Sequence, residues 1–245
     1  YEVDLLSDDD TLDLGKILAE PVSVLLERMD GSVREFNGLV TEFALVGQVG
    51  SSARYRCVLR PALWFLGQNR KCRIFQNKSV SEIVEDILRE RGVTDFVNLI
   101  AGEHPTWEFV VQYRESDLSF MNRLMEQEGV YYFFTHANGK HVLTLVDSSV
   151  SHDPAPGFET VPFFPPLPGG GLRLQEHVDG WFTKRQVRPD RVTLLDFNFE
   201  SPLPFATENA VAPLDNDHGD AEVFDFPALA VDKDAAEAQA KLRLE

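Results

Sequence analysis

Val111-Gln-Tyr-Arg-Glu-Ser-Asp-Leu-Ser-Phe-Met-Asn-Arg-Leu-Met-Glu-Gln-Glu-Gly-Val-Tyr-Tyr-Phe-Phe134 reads as a strand, a capped helix and an aromatic strand with almost no slack between them. Trp107, Phe109, Val111 and Tyr113 alternate with Glu108, Val110 and Gln112, the period of a pleated strand. Ser116 is placed to cap the following helix, with Glu115 and Asp117 at the positive end of its dipole. Leu118, Met121, Leu124 and Met125 then recur at helical spacing, and Gly129 is placed to end the helix in a left-handed turn. Nothing here is a catalytic signature; it is a packing unit. The aromatic stripe Trp107, Phe109, Tyr113 is read as core, with a carbohydrate platform as the alternative.

The first 75 residues read as an antiparallel sheet. Val22 to Glu27 and Val33 to Val46 flank Asp30-Gly31, a strong hairpin signal, and a turn near Gly50-Ser51-Ser52 leads into Tyr55 to Leu59. The period then becomes helical: Ser79 and Glu82 form a capping-box pattern ahead of an apolar face made by Ile83, Val84, Ile87 and Leu88, which Gly92 stops. Strands are expected at Phe96 to Ile100, Trp107 to Tyr113, Val130 to His136 and His141 to Asp147, the last two closing on Asn138-Gly139. Residues 148–171 carry prolines 154, 156, 162, 165, 166 and 168 and the run Gly169 to Gly171, which forbid a helix. Phe158, Phe163 and Phe164 favour an ordered crossover there over a solvated linker. Strands resume at Leu172 to Glu176, Phe182 to Val187, Val192 to Phe199 and Glu222 to Phe226, and Asp232 to Glu245 reads as a helix.

The formal net charge of −17 is unevenly placed: residues 1–20 carry seven acids and one base, and residues 205–245 carry ten acids and three bases. No basic stripe compensates, so nucleic-acid binding through phosphate contacts is not expected. Self-repulsion for solubility is the plainer meaning of the charge, and an acidic face meeting a basic partner the sharper one. No apolar run is long enough to span a bilayer, and stable membrane insertion is not expected. The chain opens at Tyr1, not Met, in an extended segment and reads as a fragment from which an exported-protein leader could have been lost upstream. Cys57 and Cys72 form no disulfide framework, and Cys57, alternating with Tyr55 and Leu59, is a small buried hydrophobe.

The sequence carries few signatures of chemistry. His136 and His141 face each other across the Asn-Gly turn and could begin a zinc site, but no third ligand lies at motif spacing, so a solvated cross-strand pair is the preferred reading. Asp215 to Asp220 resembles a calcium loop but offers Asp220 where the sixth position needs glycine and Phe226 where the twelfth needs glutamate. Asp8-Asp9-Asp10 is read as a solvated turn. GxSxG is absent, Gly169 to Gly171 is no phosphate loop, and carboxylate pairs are defined by distances that sequence does not give. No catalytic residue, cofactor-binding residue, metal ligand or cofactor is assigned.

Gln112-Tyr-Arg-Glu-Ser-Asp-Leu118, Glu128-Gly-Val-Tyr-Tyr-Phe133, Cys72 to Leu88 and Asp30 to Val40 together resemble the hub region of VgrG, the bacterial type VI secretion spike family, itself similar to the baseplate hub of contractile-tailed phages. The resemblance runs from residue 1 to at least Phe199. It implies a mainly β fold with an α+β insertion: a first small barrel over 1–75, an inserted unit over 76–147, a Pro/Gly-rich crossover over 148–171 and a second barrel over 172–245. It further implies a homotrimeric, non-enzymatic hub seated on the hexameric Hcp tube, in contact with baseplate components and effector cargo. Such a hub is assembled in the bacterial cytoplasm and then ejected. The resemblance also implies an opening strand of the first barrel upstream of residue 1, and the family continues into a further barrel and a needle; this stretch includes none of them. A phage tail hub is the alternative within the same class, and a cell-wall hydrolase or glycan-binding module is the rival from another.

Overall fold

The computed structural model describes residues 1–28, 31–154, 158–166, 176–196, 205–210, 221–228, 230 and 233–244, with the backbone alone over 205–210. The chain is mainly β with helices, and it divides into two compact units, in the main Tyr1–Glu126 with Val130–Gly157, and Phe158–Leu172 with Glu176–Glu245.

The first unit opens with β1 (Glu2–Ser7), a short helix α1 (Leu14–Ile17), β2 (Pro21–Glu27), β3 (Val33–Val49) and β4 (Ser52–Arg60). The strands form one antiparallel sheet in the order β1-β4-β3-β2. Alternation fixes its faces: Ala53, Tyr55, Cys57 and Leu59 of β4 are buried, and Val40, Cys57 and Leu59 make a small core on which Val3, Val22, Val24 and Phe43 pack. Cys57 is thus the buried small hydrophobe expected. The β2–β3 hairpin forms as the sequence indicates, with Gly31 at φ 79°; Asp30 lies outside the described residues. β3 breaks register between Val40 and Glu42 and again between Leu45 and Gly47, irregularities that bend a long strand. Gly38 lets β3 approach β4, since a Cβ there would stand 3.1 Å from Leu59 Cβ and 3.2 Å from the Arg60 carbonyl oxygen. The sheet is open, with β1 and β2 at its edges, and no closed barrel is found among the described residues.

A 3₁₀ helix (Ala62–Gly67) leads to β5 (Lys71–Lys78), α2 (Val80–Glu90), β6 (Phe96–Asn98), β7 (Trp107–Glu115), α3 (Asp117–Glu128), β8 (Tyr131–Ala137) and β9 (Lys140–Val146). The start of β5 falls within the span read as one sheet, yet β5 pairs antiparallel with β7 instead. β6, β9 and β8 form a second small sheet in which β6 runs parallel to β9. Both predicted helix starts are realised: Ser79 Oγ accepts from Glu82 N–H while Glu82 accepts from Ser79 N–H, and Ser116 Oγ accepts from Ser119 N–H at 3.0 Å. Val80, Ile83, Val84, Ile87 and Leu88 of α2 meet Phe120, Met121, Leu124 and Met125 of α3 in the main core, with Leu143 and Leu145 of β9. Fully burying a side chain such as Ile87 or Phe120 contributes roughly 1.5–3 kcal/mol.

One face assignment is reversed. Helices α2 and α3 cover a single face of the β5–β7 ribbon, and the face they cover carries Val110 and Gln112, with Trp107 half-buried beside the core. Phe109 is 62% exposed and Tyr113 64% exposed. Alternation shows that a strand has two faces but not which one the helices will cover, so of the aromatic stripe read as core Trp107 packs against it while Phe109 and Tyr113 are open to solvent.

The second unit holds β10 (Arg191–Asp196), β11 (Phe205–Ala210), β12 (Glu222–Asp225) and α4 (Lys233–Leu244). β10 is central, antiparallel to β11 and parallel to β12. Val192, Leu194, Ala228, Ala230, Ala236 and Ala240 form its small core, so the predicted final helix packs through alanines. Part of the expected crossover is ordered: Phe164 N–H donates to Val178 O and Val178 N–H to Pro162 O, both at 2.9 Å. The strand expected at Phe182 to Val187 does not form. Residues 181–190 join no ladder, and Trp181 and Phe182 are 79% and 95% exposed; their β-forming composition finds no strand edge among the described residues. Leu172 to Gln175, the end of the Val192 to Phe199 strand, Gly169 to Gly171 and Asp215 to Asp220 lie outside the described residues.

Candidate functional site: a buried carboxylate hub beneath an open apolar face

The Gln112 to Leu118 stretch acquires its physical meaning in the first unit. Asp117, the first residue of α3, is 0% exposed, and a carboxylate in that position must be paired. Its Oδ1 accepts from Arg73 Nη2 at 2.8 Å and Gln112 Nε2 at 3.0 Å; its Oδ2 accepts from Arg91 Nε at 2.7 Å and Asn69 Nδ2 at 2.6 Å. Asp117 N–H donates back to Asn69 Oδ1 at 3.0 Å. Gln112 is used at both ends, its Oε1 accepting from Arg73 Nε at 2.7 Å and its amide also donating to the Glu115 carbonyl at 3.1 Å. Glu90, at the end of α2, pairs with Lys71 and Arg73 of β5. Burial pushes the Asp117 carboxyl up, but the hydrogen bonds from Gln112 and Arg91 and the charges of Arg73 and Lys71 outweigh it and hold the group below its ordinary value. One carboxylate therefore ties together β5, β7, the end of α2 and the start of α3. Asp117 is closed off from solvent and fully hydrogen-bonded, the arrangement of a fastener.

On the opposite side of the same ribbon, Cys72 pairs with Tyr113, Ile74 with Val111 and Gln76 with Phe109 in register. All six are exposed, with Ile74 at 63%. The hub fixes the inner face of β5 and β7 and so presents this outer apolar face as a rigid surface. Exposed contiguous apolar patches on a folded chain mark interaction surfaces more often than chemistry.

The histidine pair sits elsewhere in the first unit. His136 and His141 are cross-strand partners as expected, with ring centroids 6.4 Å apart. They are not solvated: both are half-buried, His136 Nδ1 accepts from Asn37 N–H at 3.0 Å, and His141 Nε2 accepts from Ala62 N–H at 2.9 Å. The hairpin was legible in the sequence, but the β3 backbone that meets it lies about a hundred residues away, a distance no local signal spans.

The acidic turn and the carboxylate at the end of β9 are structural. Asp9 Oδ1 accepts from Thr11 N–H at 2.8 Å in an exposed turn, and Asp8 accepts from Ser52 Oγ. Asp147 accepts from Ala101 and Gly102 N–H and contacts His104 Nε2 at 3.2 Å, which folds that loop back onto the end of β9. Burial pushes the Cys57 thiol up, so it is a poor nucleophile. Among the described residues no group of three or more His, Cys, Asp or Glu side chains is arranged to hold a metal ion, and no helix is long and apolar enough to cross a membrane.

Residues 1–245 match the family described as phage tail baseplate hub (GPD). The chain is 36% identical over 245 residues to the type VI secretion system spike protein VgrG1a of Pseudomonas aeruginosa, covering 100% of this chain and 38% of that protein. It is 32% identical over 247 residues to the actin cross-linking toxin VgrG1 of Vibrio cholerae, covering 100% of this chain and 22% of the toxin. The chain therefore spans well under half the length of these curated relatives. Among solved structures, an E. coli type VI secretion component, described as structurally similar to the T4 tail proteins gp27 and gp5, superposes with a TM-score of 0.58 at 28% identity over 67% of this chain and 45% of its own. A tail protein from Neisseria meningitidis superposes with a TM-score of 0.61 over 99% of this chain and 66% of its own; at 14% identity it speaks for the fold alone.

Proposed function

The chain belongs to the phage tail baseplate hub family, and from that premise we propose that it is the hub portion of a type VI secretion puncturing spike, working by shape and not by catalysis. The observation that carries this reading is the family match over residues 1–245 together with identity above a third, along the whole chain, to a VgrG spike protein. In this reading three copies form a ring, residues 1–75 and 172–245 each supply a barrel module, 76–147 is the insertion and 148–171 the crossover between modules. Two similar modules per chain let a threefold object present six near-equivalent positions to a hexameric Hcp tube. The open edges β1 and β2 and the bends in β3 support sheet extension between neighbours, a low-cost way of closing a ring. Baseplate components and effector cargo are the further partners, and ejection from the bacterial cytoplasm is the fate of the assembly. A phage tail hub remains the alternative, since the family is shared by both machines; tube and sheath genes without a capsid beside this gene select the secretion reading.

Mass measured in solution, followed by mixing with purified hexameric Hcp rings, tests the proposal. A trimer, or a stable complex with the rings, is expected. A chain that stays monomeric, ignores the rings and clears peptidoglycan overturns it in favour of a hydrolase.

A further inference from the structure

Two backbone N–H groups in the first unit have an imidazole as their acceptor. β4 pairs with β3 only from Leu39 onward, so Asn37 N–H points into a notch that no strand fills, and His136 Nδ1 occupies it at 3.0 Å. Ala62 N–H opens the 3₁₀ helix, where Pro61 offers no side-chain cap, and His141 Nε2 takes that role at 2.9 Å. Both rings must be neutral to accept. In His136 the ring proton then lies on Nε2, which donates to the Tyr1 hydroxyl oxygen at 3.0 Å, and in His141 it lies on Nδ1. An imidazolium has no lone pair left, so protonation of either ring removes its acceptor, and protonation of both sets two like charges against each other across the hairpin.

We infer that His136 and His141 form an acid-sensitive latch whose protonation breaks the hydrogen bonds tying the β8–β9 hairpin to β3 and to the start of the 3₁₀ helix. Besides the rings, Asn37 Nδ2 donates to Lys140 O at 2.8 Å and Gly139 N–H donates to Glu35 Oε2 at 3.0 Å, while Leu63 and Leu66 of the 3₁₀ helix stay packed with Leu143 and Leu145 of β9 in the main core. Of the charged groups around the rings, Arg34 of β3 and the other imidazole disfavour protonation of His136. Asp95, ahead of β6 and bonded to Lys140 at 3.0 Å, favours protonation of His141. Burial is the largest influence on both rings and pushes each below the ordinary imidazole value of 6.5. The sign follows: the latch is at full strength above 6.5, where the rings are neutral folded or unfolded, and is lost as pH falls through the lowered folded values.

Amide exchange followed by NMR on the intact chain reads the latch directly. Between about pH 7.5 and about pH 5, corrected for intrinsic rates, protection at Asn37 and Ala62 is expected to fall about tenfold, the equivalent of one lost hydrogen bond. The double variant H136N/H141Q keeps an acceptor at the matching ring positions but cannot titrate, and it is expected to hold its protection across that range. In the wild type, the imidazole C–H shifts give the protonation midpoints, and the loss of amide protection must follow them. Unchanged protection at the lower pH, an equal loss in H136N/H141Q, or a loss that departs from the imidazole midpoints each overturns the latch.

Discussion

Asp117 shows what a local reading can and cannot give. Its place after the Ser116 cap was legible, and the expected role of a carboxylate there was to favour the helix dipole. Its actual partners come from positions 69, 73, 91 and 112, brought together by folding. One signal was available: Gln112 alternates in phase with Val110, and a polar side chain in phase with an apolar one on a strand announces a buried hydrogen bond if that face is the covered one. Removing the carboxylate leaves Arg73 and Arg91 facing an uncompensated site, so Asp117→Ala is expected to lower unfolding stability by about 3–5 kcal/mol. The native chain gains stability from this group above the unfolded aspartate value of 3.8 and loses it as pH falls through the lower folded value. Urea titrations of both proteins from neutral to acid pH check this. A variant as stable as the native chain, or one that keeps the same acid slope, contradicts the hub.

At the scale of elements, the features whose chemistry lies within a few residues were readable. The β2–β3 and β8–β9 hairpins, the Ser79 and Ser116 caps and the α4 helix all form where turn residues, capping residues and period place them. What escaped is pairing between distant segments, namely β5 with β7, and the parallel pairs β6–β9 and β10–β12. Each is settled by which face the helices cover or by a long connection, and neither leaves a trace in a short window. The reversed ribbon face gives a sharp comparison between two phenylalanines. Phe120 is 0% exposed and stacks on Phe75 with ring centroids 5.5 Å apart, so Phe120→Ala is expected to cost about 3–5 kcal/mol. Phe109→Ala, on the open face, is expected to change stability by only about 0.5 kcal/mol. Denaturant midpoints of the two variants measure the contrast, and comparable losses would restore the sequence-based assignment of the stripe to the core.

For the whole molecule, charge is the property most directly carried by the sequence, and its consequence can be separated from that of the individual ion pairs. With 40 acids against 23 bases, and seven acids against one base in the first 20 residues, repulsion among like charges opposes the compact state. The exposed pairs that offset it, such as Lys140–Asp95 and Lys16–Asp13, are worth little individually and weaken in salt as well. Screening shortens from about 30 Å at 0.01 M to about 8 Å at 0.15 M, which relieves the long-range repulsion more than it weakens contacts already at hydrogen-bond distance. Raising sodium chloride across that interval is therefore expected to raise the melting temperature by a few degrees, the shift that about 1 kcal/mol produces in a chain of this size. A fall in melting temperature would mean that local pairs outweigh global repulsion. The same salt series applied to Hcp ring binding divides the two meanings of the acidic ends. Binding that weakens steeply with salt makes them a docking face for a basic partner, whereas binding indifferent to salt leaves them as a device for solubility.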